Sequence, residues 1–226
     1  MFGLTGVSAR ETDDNYLKNI NPEARQLSKI FTLAVPYGAN AGRIASIMKK
    51  PYEEAARIID DYLEAYPKLK DYMDSQESEA KKLGRVKTRF GRVRHLPRAK
   101  FLYEKLKGKI LSKKAMKDYH DEEGVTLYFE FRNYMNNAKN FPIQATAAHV
   151  TNAALIKLSK TFEEHKIDGW IALTIHDEIT CIVSKKDAHR SAILLKDAME
   201  HNSITDKIDV PMIAEPMIGN NFSETK

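Results

Sequence analysis

His176-Asp177-Glu178 sets an imidazole and two carboxylates on consecutive residues, between Leu173-Thr174-Ile175 and Ile179-Thr180-Cys181-Ile182-Val183. Both flanks are rich in β-branched residues, so the pattern predicts a hairpin with the charged tripeptide at its tip. A carboxylate held on a rigid turn can ligate Mg²⁺ for phosphoryl chemistry. Polar turns between strands are common, however, so the tripeptide gains meaning only beside a phosphate site elsewhere in the chain. The helix that Pro22 opens offers one. Arg25, Lys29, Leu33 and Tyr37 recur every four residues. At about 3.6 residues per turn they form a stripe that drifts by about 40° at each step. Two cations at its start could clamp a polyphosphate, and the aliphatic and aromatic side chains beyond could lie against a flat ring. The same spacing also describes an amphipathic helix with Leu33 and Tyr37 in the core and two solvated cations.

The elements that must hold these residues can be read in order. Residues 1–20 are polar and irregular. Asn21-Pro22-Glu23 is a helix start: a capping side chain, proline at the first helical position, and an acid near the positive end. This helix extends to about Tyr37, where Gly38 can supply a left-handed stop. A second helix fits 41–50. Pro51 opens a third, with Ala55, Ile58, Ile59, Tyr62 and Leu63 on one face. Pro67 restarts the chain as a helix that Gly84 ends. Residues 85–97 change to period two around Gly91, which predicts a short hairpin carrying basic residues. Residues 100–135 combine a Lys-rich helix with the aromatic cluster Tyr128-Phe129-Glu130-Phe131. A strong helix covers about 143–165, followed by a strand over 170–175, the charged turn, a strand over 179–183, a helix over about 186–201 and a last extended segment over 210–215.

Composition sets the class. A chain of 226 residues with 42% hydrophobic and 30% charged residues is globular with a sizeable core. Its apolar runs are too short to cross a bilayer, and no secretory leader is recognisable. Cys181 is the single cysteine, which excludes an intrachain disulfide and a Cys-rich zinc site. The expected location is therefore the cytoplasm, with no membrane partner. Net charge is +5, and from Lys81 to Lys100 there are nine Lys/Arg residues and no acid. The basic run continues through Lys105, Lys107, Lys109, Lys113, Lys114 and Lys117. Such a stripe can bind nucleic-acid phosphates by releasing counterions, or be a solvated face.

Four segments, in order along the chain, resemble family A DNA polymerases, the DNA polymerase I family. Arg25-x-x-x-Lys29 through Tyr37-Gly38 resembles the family's fingers helix. Gly84-Arg-Val-Lys-Thr-Arg-Phe-Gly91-Arg92-Val-Arg94-His-Leu96-Pro97 is similar to its Gly-x-Val-x-Thr-x-x-Gly-Arg-x-x-x-Leu-Pro segment. Asn140-Phe-Pro142-Ile-Gln144-Ala-Thr146-Ala147-Ala148 resembles its Asn-x-Pro-x-Gln-Gly-Thr-Ala-Ala helix start, and His176-Asp177-Glu178 resembles its third motif. Gly219-Asn220-Asn221-Phe222 is similar to the closing Gly-x-x-Trp.

The resemblance implies an α+β fold: a mostly helical fingers-like subdomain over 1–140, with an insertion near 99–135, then a distal part of an antiparallel palm over 141–226. It implies that Arg25 and Lys29 grip the triphosphate of an incoming deoxynucleotide, Lys29 also protonating the departing pyrophosphate. Leu33 would face the nascent base pair and Tyr37 the templating base. Asn140 and Gln144 would read the minor-groove side of the primer-template, with Arg92 and Arg94 also on DNA. His176 would approach the primer end, Asp177 would coordinate Mg²⁺, and Glu178 would complete the catalytic set. The implied chemistry is two-metal phosphoryl transfer to a primer 3′-hydroxyl.

Departures from the pattern matter as well. Leu33 stands where the family usually has an aromatic residue, and Pro36 should kink the helix end. Asn136 replaces a common arginine that contacts template, and Ala145 replaces a glycine. A two-metal site of this family also needs an aspartate from an Asp-Tyr-Ser-x-x-Glu motif upstream of the helix lysine. The 28 residues before Lys29 hold no such motif, and Asp13 and Asp14 lie too close to the helix. The expectation is a naturally split, phage-type polymerase. This chain would be its carboxy-terminal subunit, in the host cytoplasm and inactive alone. An amino-terminal partner would supply thumb, first palm strands and the second aspartate. Its absence should leave an exposed apolar face. The alternatives are a truncated frame, a catalytically inactive DNA-binding remnant, and an unrelated Mg²⁺ phosphohydrolase.

Overall fold

The computed structural model describes residues 6–8, 13–106 and 122–225. The basic stretch Lys107, Lys109, Lys113, Lys114 and Lys117, and with it the middle of the expected insertion, lies outside these residues. The chain divides into two units, one of Met1–Lys87 with Gly91–Pro142 and one of Thr88–Phe90 with Ile143–Lys226. Among the described residues helices dominate and the sheets are two small antiparallel pairs, so the fold class is α+β as expected.

The first unit starts with a one-turn helix, α1 (Leu17–Ile20), in a stretch expected to be irregular. Helix α2 (Pro22–Ala34) begins as its sequence dictates: the Asn21 side chain accepts the Ala24 N–H at 2.9 Å and Pro22 takes the first turn. Regular helix ends at Ala34, three residues before the expected Tyr37, because Pro36 has no N–H to donate. A Schellman closure follows, with Ala39 N–H on Ala34 O and Gly38 N–H on Val35 O, both at 2.9 Å, and Gly38 at φ 86°. Helices α3 (Ala41–Met48) and α4 (Tyr52–Ala65) pack on α2 through Phe31, Val35, Ile44, Met48 and Ala55, and Phe31 meets Tyr62 edge-on.

Helix α5 (Pro67–Leu83) ends where Gly84 turns left-handed at φ 62°. The expected basic hairpin follows as β1 (Arg85–Lys87) and β2 (Val93–His95), paired with Val86 opposite Arg94. Val86 points into a core shared with α6 (Pro97–Leu106) and the first part of α7 (Glu122–Glu164), built from Ala80, Leu102, Leu106, Phe131, Met135 and Ala138.

Helix α7 corrects one expectation. The segment from Asn140 to Ala148 is not a helix start but the interior of a 43-residue helix that passes through Pro142. A proline inside a helix costs about 3 kcal/mol. Burying Phe131 and Met135 just before it returns about 1.5–3 kcal/mol each, so the preceding turns stay helical. At the proline, Tyr72 Oη donates to the Lys139 carbonyl at 2.8 Å, and burial pushes the Tyr72 phenol up to about 12. Tyr72→Phe should cost about 1 kcal/mol in urea unfolding, the net worth of one such hydrogen bond. No measurable loss would mean that the helix supports itself at Pro142.

In the second unit, β3 (Gly169–Ile175) and β4 (Glu178–Val183) form a hairpin, and a short 3-10 turn (Lys185–Asp187) leads to α8 (Ala188–Glu200). Ile171, Ile179, Cys181 and Val183 face Leu158, Phe162 and Ala198. Burial raises the Cys181 thiol to about 11. The opposite face carries Trp170, Leu173, Ile175 and Ile182, each 43–60% exposed. The segment 210–215 forms no strand. Exposure alternates with period two from Pro211 to Met217, but Ala214 N–H goes to Glu200 Oε1 at 2.8 Å rather than into a ladder.

Candidate functional site

The stripe on α2 settles one alternative left open by its spacing. Phe31 and Val35 fill the core, whereas Leu33 and Tyr37 are 54% and 44% exposed. Lys29 is exposed and Arg25 half-buried along the same line. Tyr37 lies beyond the regular helix, yet its N–H still reaches Leu33 O at 3.3 Å, so the fourfold spacing survives the early stop. Lys29, Leu33 and Tyr37 thus share an exposed line with the half-buried Arg25.

The basic hairpin of the same unit presents Arg85, Lys87, Arg92 and Arg94 to solvent. Arg94 lies over the Phe141 ring, 5.5 Å from its centroid. This brings the hairpin beside Asn140, which is half-buried. Next to Asn140, the Lys139 ammonium is buried and bonded to Glu77 at 3.1 Å, and Lys81 reaches the same carboxylate at 3.0 Å. Burial alone would raise the Glu77 carboxyl, but the two ammonium groups outweigh it and hold the carboxyl below its ordinary range.

In the second unit, Gln144 is exposed on α7. His176 and Asp177 are the two central residues of the β3–β4 turn, with Ile175 paired to Glu178. A two-residue hairpin turn needs a positive φ at its first central position, and His176 supplies 54°. Thr151 Oγ1 donates to the His176 carbonyl at 3.2 Å and so ties the turn to α7. The Asp177 and Glu178 side chains project into solvent, and Glu178 Oε1 accepts from Thr180 Oγ1 at 3.4 Å.

Mg²⁺ takes an octahedral shell of oxygens, commonly one or two carboxylates with water and phosphate. Asp177 fits one such position: it is accessible, and its backbone is fixed on both sides. Among the described residues no three His, Cys, Asp or Glu side chains gather to hold a metal.

Two supporting groups were not in the expected set. Lys139 falls four residues after Met135 and one after Ala138, on the buried side of α7, so its place on an apolar face was a visible signal. Thr151 stands seven residues after Gln144, two helical turns along, but nothing in its sequence context indicates a bond to the hairpin.

Comparison with known proteins accords with this geometry. The model of DNA polymerase family A matches residues 6–224. The thermostable DNA polymerase I of Thermus thermophilus is 27% identical over 92% of this chain, and the DNA polymerase I of Caldicellulosiruptor bescii is 29% identical over 93%. In both cases the chain spans 22% of the relative's length. Among solved structures, the POL domain of Pol1 from M. smegmatis, in complex with DNA primer-template and dNTP, shares the fold. Its TM-score is 0.64 at 23% identity, covering 81% of this chain and 28% of that one. No helix among the described residues is long and apolar enough to cross a membrane.

Proposed function

The chain belongs to DNA polymerase family A, and from that premise we propose that it is the carboxy-terminal, fingers and distal-palm part of a template-directed DNA polymerase. Residues 1–140 act as fingers and 141–226 as palm. A separate amino-terminal polypeptide supplies the thumb, the first palm strands and the second catalytic aspartate. The reading rests above all on the exposed stripe of α2, where Leu33 and Tyr37 stay in solvent beside Arg25 and Lys29 although the same helix has core positions to offer.

In this reading Arg25 and Lys29 bind the triphosphate and hold it in line with the primer 3′-hydroxyl. Lys29 gives its proton to the departing pyrophosphate. Leu33 and Tyr37 orient the incoming base and its template partner. Arg92 and Arg94 neutralise backbone phosphates, Asn140 and Gln144 contact the minor-groove side, and His176 approaches the primer terminus. Asp177, with Glu178 beside it, would hold Mg²⁺. When bound, such ions would supply activation of the 3′-hydroxyl and neutralisation of charge at the transferring phosphoryl group. The partner would cover the apolar face of Trp170, Leu173, Ile175 and Ile182, which is a surface too apolar to be left in water in an assembled enzyme. The site of action is the cytoplasm, a host's if the gene belongs to a phage.

Primer extension tests this directly. With primer-template, deoxynucleoside triphosphates and Mg²⁺, the purified chain should extend nothing, and adding a polypeptide that carries thumb and first palm motif should restore extension. Robust extension by the chain alone would refute the split arrangement. DNA binding without extension in any mixture would favour the inactive DNA-binding remnant.

A further inference from the structure

We propose that Asn136 is a positioning residue: its carboxamide, presented from α7, clamps the Gly38 cap of α2 and thereby fixes the turn that carries Tyr37. The contact is direct. A Cβ added to Gly38 would stand 2.0 Å from Asn136 Oδ1, 2.4 Å from Cγ and 2.8 Å from Nδ2, so the carboxamide occupies the space that the missing side chain leaves. Gly38 is the left-handed residue of the Schellman closure, and its N–H and that of Ala39 are spent on the Val35 and Ala34 carbonyls, both at 2.9 Å. The cap is thus held from within by these two bonds and from outside by Asn136.

Asn136 Oδ1 is buried and has no hydrogen-bond partner among the described residues. Leaving a buried acceptor unmatched is unfavourable, so a purely space-filling role would be better served by an apolar side chain. A carbonyl oxygen against the Gly38 Cα can instead take the weak Cα–H···O contacts that glycine, with two such hydrogens, provides. This turn is where the exposed stripe ends: Tyr37 precedes Gly38 directly, and Pro36 has already removed one helical bond there. Asn136 is thus the side chain set against the turn that carries Tyr37. In this chain the position therefore supports the turn that follows α2.

Hydrogen exchange of the purified chain tests the clamp without requiring any activity. In Asn136→Ala the Gly38 and Ala39 amides should exchange at least about tenfold faster, while amides in α4 and in β3–β4 keep their rates. Gly38→Ala supplies a second route: its Cβ strikes Asn136, so it should speed exchange at Ala39 more in the wild-type background than in Asn136→Ala. Rates at Gly38 and Ala39 within about twofold of wild type in Asn136→Ala would overturn the clamp. The positioning role rests on the proposed nucleotide stripe and is read separately, by binding of a fluorescent deoxynucleoside triphosphate. Asn136→Ala should weaken it about tenfold, and unchanged affinity with faster exchange would reduce Asn136 to a structural contact. If the wild-type chain binds no nucleotide even with its partner, that failure falls on the nucleotide reading, and exchange still decides the clamp.

Discussion

Asp177→Asn, in an enzyme reconstituted with the proposed amino-terminal polypeptide, should reduce primer extension by roughly a thousandfold, about 4 kcal/mol of transition-state stabilisation. The hairpin gives the reason. Asp177 is a central residue of a two-residue turn whose other member, His176, is pinned at φ 54° and tied through its carbonyl to Thr151. The carboxylate therefore reaches solvent from a backbone that cannot easily reorient. Asparagine keeps that backbone and the shape of the side chain but removes the charge a divalent cation requires. Affinity for primer-template should stay within about twofold or tighten slightly, since one negative charge near the phosphates has gone. Near-normal turnover would displace the metal assignment from Asp177. A parallel collapse of DNA binding would make its role structural.

The second large effect concerns stability. Glu77→Gln should destabilise the chain by about 3 kcal/mol in urea unfolding at neutral pH, because it strands the buried Lys139 ammonium. Lys139→Met should cost less, since Glu77 keeps Lys81 at 3.0 Å. The double variant Glu77→Leu/Lys139→Met should recover most of the loss, as apolar replacements of buried ion pairs commonly do. The pH dependence has a definite sign. The folded-state pKa of Glu77 lies below its unfolded value, so the pair's stabilisation is fully present above the ordinary carboxylate range. It disappears as pH falls through the depressed value. Glu77→Gln should flatten that acid limb. A loss below about 1 kcal/mol would mean that the Lys139 ammonium finds water or another acceptor in the variant.

Much of the architecture was legible because it depends on neighbours in sequence. Asn21 with Pro22 announces the start of α2, Gly84 the end of α5, and the alternation around Gly91 the basic hairpin. The order of motifs likewise pointed to the family. What could not be read depends on partners far along the chain. Pro142 looks like a boundary by local rules, yet it lies inside α7, with Phe131 and Met135 buried ahead of it and Tyr72 bonded to the Lys139 carbonyl one turn before. The extended pattern over 210–215 has a strand's periodicity but no neighbouring strand, so alternation alone produced no ladder. The contact of Asn136 with Gly38 follows the same logic. A glycine that needs φ 86° is predictable from the helix end, but the side chain filling the space beside it is not.

Cys181, on the packed side of β4, gives the second unit a reporter of its own. Its thiol is half-buried and pushed up to about 11, so at neutral pH almost none of it is the nucleophilic thiolate, and alkylation is slow while the sheet stays packed on α7 and α8. As the single cysteine of the chain, it makes the rate of labelling a clock for the packing of that unit. A partner seated on the opposite face of the same two strands would slow that clock without touching the sulfur.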